Sequence, residues 1–235
     1  MPEKPLTTRS ANRILSRLPE EEFGFLRPHL ETVDLPVRKQ LESRNKAIEH
    51  VYFIEHGFAS VVANGTGRSI EVGIIGCEGM TGLSVVMRTD RSPHETFMQV
   101  GGDGQRMPSA KLSQALEESP GLHRHLLRFG HAFMVQTAQT ALANGRSKIE
   151  ERLARWLLMA NDRLDGDEVP LTHEFLSVML GVRRPGVTVA LDLLEKEGLI
   201  QAKRRAIAIL DRTGLRKISD GAYGAAEAEF KRLFG

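Results

Sequence analysis

The stretch 171-LTHEFLSVMLGVRRPGVTVALDLLEKEGLI-200 organises the reading of this chain. It holds two amphipathic segments separated by a glycine. Thr172 is a favoured N-cap, and Glu174 stands in the first turn, where the helix dipole favours a carboxylate. Phe175, Leu176, Met179 and Leu180 then recur on one face at helical spacing. Gly181 falls where the chain must turn and a Cβ would be strained. The second segment repeats the pattern, with Val187, Ala190, Leu191 and Leu194 at i, i+3, i+4 and i+7. Its opposite face carries Arg184, Gly186, Val189, Asp192 and Lys196, which no core demands.

Two helices of this length, joined at a glycine and with Arg183 and Arg184 leading into the second, have the geometry of a helix-turn-helix. That geometry places a helix N-terminus in the major groove of DNA. An ordinary pair of packed helices is the plainer alternative, but the segment downstream favours DNA. QAKRRAIAILD, from 201 to 211, reads as a hairpin turning at Lys203-Arg204-Arg205, a basic tip placed as a wing against phosphates. Upstream, a helix is expected from Ser147 to Leu164, with Ile149, Leu153, Trp156, Leu157 and Ala160 inward. The tail from Thr213 onward reads as helical, with Phe230, Leu233 and Phe234 as docking residues.

The N-terminal half has a different texture. Ile14, Leu15 and Leu18, then Phe23, Leu26 and Leu30 beyond Pro19, make a short helical prelude. From Val33 to Met107, β-branched runs such as VYFIEHG, FASVVANG and SIEVGIIG alternate with glycines, the pattern of many short strands. Asn64-Gly65 marks a turn between two of them. Glycines at 73, 76, 79 and 82 indicate backbone crowding or close approach of a phosphate, with barrel corners as the plainer account. A short helix is expected at Ser109–Glu118 and a long one at 120–144. Along the long helix Leu122, Leu126, Phe129, Phe133, Gln136 and Thr140 alternate four and three apart, an a/d stripe that predicts pairing with a second copy. The face bearing Leu127 and Met134 is then left to pack on the β region. Asn144-Gly145 reads as a hinge.

The expected class is therefore α+β. A β-rich region (1–119), a sensor domain by the resemblance given below, leads to a dimerisation helix and hinge (120–145), a winged helix-turn-helix (146–218) and a helical tail (219–235). The chain has 235 residues, a formal net charge of +2 and one cysteine. Near-neutral charge makes any basic surface local. One cysteine excludes an internal disulfide framework and a four-cysteine iron–sulfur site. No apolar leader and no run approaching the ~18 apolar residues of a membrane span is present, so a cytoplasmic protein is expected. His123, His125 and His131 do not share a helical face at i, i+4, and no metal site is expected. Haem on Cys77 is disfavoured, because no histidine follows closely. His173-Glu174-Phe175-Leu176-Ser177 begins like a zinc-protease motif but has Ser177 where the second histidine must stand. With neither a P-loop nor a Gly-x-Ser-x-Gly sequence, an enzyme is not expected.

This order of parts resembles the Crp/Fnr family of bacterial transcription regulators. The likeness is most specific in the 171–200 stretch, and next in Gly79-Met80-Thr81-Gly82-Leu83 followed by Arg91-Ser92. The resemblance implies a jelly-roll-like β-roll related to cyclic-nucleotide-binding domains. It also implies a homodimer on a palindromic double-stranded DNA site, and RNA polymerase as a partner. It places Gly79, Met80, Gly82, Leu83, Arg91, Ser92 and, on the long helix, Thr137 around an effector pocket. Met80 replaces the carboxylate that would accept a ribose hydroxyl, which argues against tight cyclic AMP binding and leaves a small anionic effector, or none. On the second helix it sets Arg184, Pro185 and Val189 against base edges, with Arg184 expected as N-cap and Pro185 as first helical residue. Thr172, His173, Arg183, Gly186, Thr188, Lys203 and Arg204 are expected at phosphates or as positioning groups. The rival from another class is a ligand-binding module that controls a partner protein rather than DNA.

Overall fold

The computed structural model describes residues 10–65, 69–171 and 173–235. A short helix α1 (Arg13–Ser16) opens the described chain, capped by Asn12. That side chain is fully buried; its Oδ1 accepts from the Ile14 and Leu15 amides while its Nδ2 donates to the Ile54 and Gly79 carbonyls, at 2.8 and 2.7 Å. Helix α2 (Glu20–Leu26) follows. Seven strands come next: β1 (Glu31–Leu35), β2 (Gln40–Glu42), β3 (His50–Ile54), β4 (Phe58–Asn64), β5 (Ser69–Ile75), β6 (Glu95–Val100) and β7 (Gly102–Pro108). Helix α3 (Leu83–Val86) lies between β5 and β6.

These strands form two antiparallel sheets, in the orders β1-β7-β3 and β2-β6-β4-β5. Alternation along each strand sends Leu35, Val51, Phe53, Val61, Met98 and Met107 into one shared core. The Asn64-Gly65 signal falls at the end of the β4–β5 hairpin, which closes at the Asn64–Ser69 pair.

Helix α4 (Ser109–Glu118) leads to α5 (Pro120–Arg146). Ser119 caps α5 by accepting from the Leu122 amide, and Pro120 takes the first position, where no amide donor is missed. The helix does not end at Asn144-Gly145, where a hinge was expected. It runs on to Arg146, and the break comes at Ser147, whose backbone is extended. Neither Asn144 nor Gly145 removes a helical hydrogen bond, so their low propensity alone does not stop an established helix.

The C-terminal part comprises α6 (Ile149–Asn161), β8 (Glu168–Pro170), α7 (His173–Leu180), α8 (Arg184–Lys196), β9 (Ile200–Lys203), β10 (Ala206–Ile209), α9 (Arg212–Ile218) and α10 (Ala225–Phe234). Its three strands make a small antiparallel sheet, β8-β10-β9. Among the described residues, no helix is long and apolar enough to cross a membrane.

Candidate nucleic-acid interface

Helix α7 ends at Gly181, whose φ of +62° belongs to the left-handed region that favours glycine. An extended Arg183 then starts α8. Val187, Ala190, Leu191 and Leu194 are buried against α6 and α7, as the spacing predicted. The opposite face is exposed and bears Arg184, Pro185, Thr188, Val189 and Asp192. Val189 is 59 % exposed, and so in large part is Leu193 at 43 %, which the sequence reading passed over. Two exposed aliphatic side chains on a short helix are groups able to meet a thymine methyl.

One expectation about this helix is corrected. Arg183 is the N-cap, so Arg184 is the first helical residue and Pro185 the second. Pro185 is tolerated at this second position because the first helical turn needs no amide from it. Arg184 is thus held on the rigid helix rather than reaching in from an extended segment. At Gly186 a Cβ would stand 3.3 Å from Ile149 Cδ1, so its smallness also serves the packing of α8 on α6. Thr188 is exposed, and its hydroxyl donates to the Arg184 carbonyl at 3.3 Å. Thr172 lies outside the described residues, as does the side chain of His173.

The basic hairpin is present as β9 and β10, turning at Arg204-Arg205 with Arg205 at φ +65°. Lys203, Arg204 and Arg205 are exposed. Lys203 pairs with Glu168 of the edge strand β8, an exposed ion pair that a phosphate can displace at little cost.

Around this unit, α7 is docked on the β2-β6-β4-β5 sheet. Gly181 lies against Ile70, the Arg38 guanidinium sits over the Phe175 ring at 5.4 Å, and the Ser60 hydroxyl donates to the Met179 sulfur at 3.6 Å. Phe58 and Ile74 share a core with Trp156 and Leu157 of α6. Two buried carboxylates cross the same boundary. Glu71 accepts the Trp156 indole N–H at 2.6 Å, and Glu78 pairs with Arg163 at 2.6 Å. Sequence patterning missed both, because charged residues carry no periodic signal of burial.

The stripe expected to face a second copy is instead used inside the protein. Leu122, Leu126, Phe129 and Gln136 are buried on the β region, and Gln136 is clamped to Ile74 through both backbone groups, at 2.7 and 3.2 Å. Phe133 packs on Gly73, while the Thr140 hydroxyl donates to the Gln136 carbonyl within its own helix. Within the protomer, α5 is packed on β5 and on helices α2, α3, α4 and α10. The outward face is the other one, with Leu127 at 40 %, Met134 at 60 % and Leu142 at 50 % exposure.

Several residues expected around an effector pocket are engaged within the fold. Met80 is fully buried in the core and bridged through its backbone to Phe53. A Cβ on Gly79 would collide with the Phe129 ring, so α5 itself crowds this turn. The Gly82 amide, the kind of donor a phosphate would use, is already taken by the buried Glu42 carboxylate, which Thr96 also supports. Burial raises the Glu42 pKa above the usual carboxylate range. Leu83 is half-buried at the start of α3. Arg91 is exposed and bound to Asp90, Ser92 is buried and accepts from the His94 amide, and the Thr137 hydroxyl donates to Phe133. Gly73 and Gly79 are crowded by α5, Gly76 by Arg163 and Gly82 by Val51, which is the backbone crowding their spacing indicated.

Comparison with known proteins agrees with this geometry. Residues 151–218 match the Crp-like helix-turn-helix domain. Among curated proteins none matches the sequence. The fold is similar to that of FixK2 from Bradyrhizobium japonicum, with a TM-score of 0.69 and 18 % identity over 80 % of this chain and 96 % of that one. It is similar to a CRP-family transcriptional regulator from Thermus thermophilus, with a TM-score of 0.67 and 20 % identity over 82 % and 99 %. The c-di-GMP-responsive global regulator CLP of Xanthomonas campestris is similar at a TM-score of 0.66 and 14 % identity, over 82 % and 100 %.

Proposed function

We infer that this chain, whose residues 151–218 form a Crp-like helix-turn-helix domain on the fold of the Crp/Fnr transcriptional regulators, is a DNA-binding transcription regulator. The observation that carries this reading is the two-sidedness of α8: one face completes a core, and the other offers Arg184, Pro185, Val189 and Leu193 to solvent. In the proposed mode, α8 enters the major groove and the basic hairpin tip meets the backbone. Arg184 reads guanine through its O6 and N7 atoms, and Val189 meets a thymine methyl. Arg183, Thr188, Lys203 and Arg204 fix register on phosphates. Two copies pair through the outward face of α5, which presents two readers to a palindrome. Region boundaries are proposed near 119, 146 and 218, where α4 gives way to α5, α5 ends and α9 ends.

The test is fluorescence anisotropy with duplex fragments. Arg184→Ala is expected to lose about 1–3 kcal/mol of discrimination at one base pair in each half-site. Lys203→Ala should weaken binding to all sequences alike and reduce the log–log salt slope by about one. Absence of any sequence-dependent binding, with or without small metabolites, overturns the reading in favour of a module acting on another protein.

A further inference from the structure

A cavity of about 270 Å³ opens between α5, α10 and the C-terminal end of α6. None of Gly79, Met80, Gly82, Leu83, Arg91 and Ser92 lines it. Its size lies just below the roughly 300–1,000 Å³ of pockets that enclose drug-sized ligands, so it suits a smaller molecule. Phe129 and Phe133 of α5 and Phe230 of α10 supply an aromatic wall.

Its charges sort into engaged and available groups. Arg163 donates through Nε and Nη2 to Glu78 and through Nη1 to the Met159 carbonyl. Asp162 accepts from the Tyr223 hydroxyl at 2.7 Å and pairs with Arg212. That leaves Arg13 and Glu227. The Arg13 guanidinium makes no hydrogen bond to a described residue, although its backbone amide is fixed on the Cys77 carbonyl at 2.6 Å. Glu227 uses Oε2 to accept the Gly224 amide at 3.0 Å, and its charge offsets those of the buried Arg155 and Arg163, but its Oε1 accepts no hydrogen bond from a described residue. One cationic donor and one carboxylate oxygen therefore remain beside an aromatic wall.

We propose that this cavity binds a small zwitterion with an apolar body, the chemical class of the free hydrophobic amino acids. Arg13 takes the carboxylate, Glu227 takes the ammonium, and the phenyl rings take the body. The cavity is walled by the long helix, by the end of α6 and by the tail, so an occupant touches the element proposed for pairing and the helix-turn-helix region together. Its role as an effector site rests on the regulator reading above; its chemistry does not.

Isothermal titration of the full chain with three probes tests it: L-phenylalanine, 3-phenylpropionate and 2-phenylethylamine, the last two keeping one charge each. The expected result is saturable binding of L-phenylalanine at millimolar concentration or below, with each single-charge probe about tenfold or more weaker. Arg13→Gln and Glu227→Gln should each erase that advantage; the exposed Arg13→Gln should unfold at the wild-type temperature, and in Glu227→Gln the glutamine amide oxygen retains the bond from Gly224. No saturable binding of L-phenylalanine up to tens of millimolar overturns the proposal. So does equal binding of either single-charge probe, binding unchanged in both variants, or loss of binding on Arg91→Gln, which would place the ligand at the Gly79–Leu83 turn. DNA binding is measured separately on the same samples. A chain that binds DNA but not the zwitterion refutes only the site, and one that binds the zwitterion but no DNA refutes only the regulator reading.

Discussion

Glu71 lies wholly inside the protein, and burial raises its pKa from 4.5 to about 7, against the Trp156 hydrogen bond and the nearby charges of Arg155 and Arg163, which lower it. Among the described residues, its Oε2 has no hydrogen-bond partner. A carboxylate whose folded pKa lies above the unfolded one binds its proton more tightly in the folded state. Its contribution to stability is therefore complete below the unfolded value of 4.5 and is lost as pH rises through about 7. That displacement corresponds to about 3 kcal/mol. Glu71→Gln keeps an acceptor for the indole but cannot ionise, so it should gain on the wild type as pH rises. Urea unfolding at about pH 5 and about pH 8 measures this, and parallel profiles for the two proteins would refute it. Nothing in the surrounding sequence, SIEVGII, marks Glu71 as a buried acid. Alternation on β5 places it on one face of the sheet, but what covers that face is decided far along the chain, at Trp156.

Helix α5 shows how far periodicity reaches. The four-three spacing of Leu122, Leu126, Phe129 and Phe133 correctly announced a long amphipathic helix. A second stripe, Leu127, His131, Met134, Ala138, Ala141 and Gly145, has the same spacing and is the exposed one. Two such stripes on one helix cannot be assigned to inside and outside from the sequence alone. The sheets decide, because Gly73 and Gly79 leave room for Phe133 and Phe129 to approach closely. In its second half the outward stripe turns to small residues, Ala138, Ala141 and Gly145, which leave room for a neighbouring backbone, while Leu127 and Met134 supply its apolar area; this is the face proposed for pairing. Met134→Arg should therefore turn a dimer into a monomer in sedimentation while the thermal midpoint of the protomer stays close to wild type. Leu126→Ala should instead cost about 2–5 kcal/mol in stability. Helix α8, by contrast, was legible almost to the residue, since Gly181 and Pro185 punctuate it and only one of its faces is apolar throughout.

In the whole molecule, the helix-turn-helix part is mounted on the N-terminal sheets rather than merely tethered to them. The Glu78–Arg163 pair, the Glu71–Trp156 bond and the seat of α7 on β5 join the two parts through buried groups. Glu78→Gln leaves the Arg163 guanidinium buried without its counter-charge, and should destabilise the chain by about 3–5 kcal/mol in denaturant unfolding. A change within experimental error would show that the pair is not buried in solution. Trp156 is the only tryptophan in the chain, so its emission reports directly on whether this boundary stays closed. None of these cross-boundary contacts is written in composition or spacing; they depend on which surfaces meet after each part has folded. The measurement that decides the account is selection of bound sites from random duplex DNA by the wild-type protein and by Arg184→Ala. A two-fold symmetric site with half-site centres about 34–36 Å apart is expected, with one position in each half-site relaxed in the variant. Recovery of no enriched sequence, or of the same site with unchanged base preferences from both proteins, would contradict it.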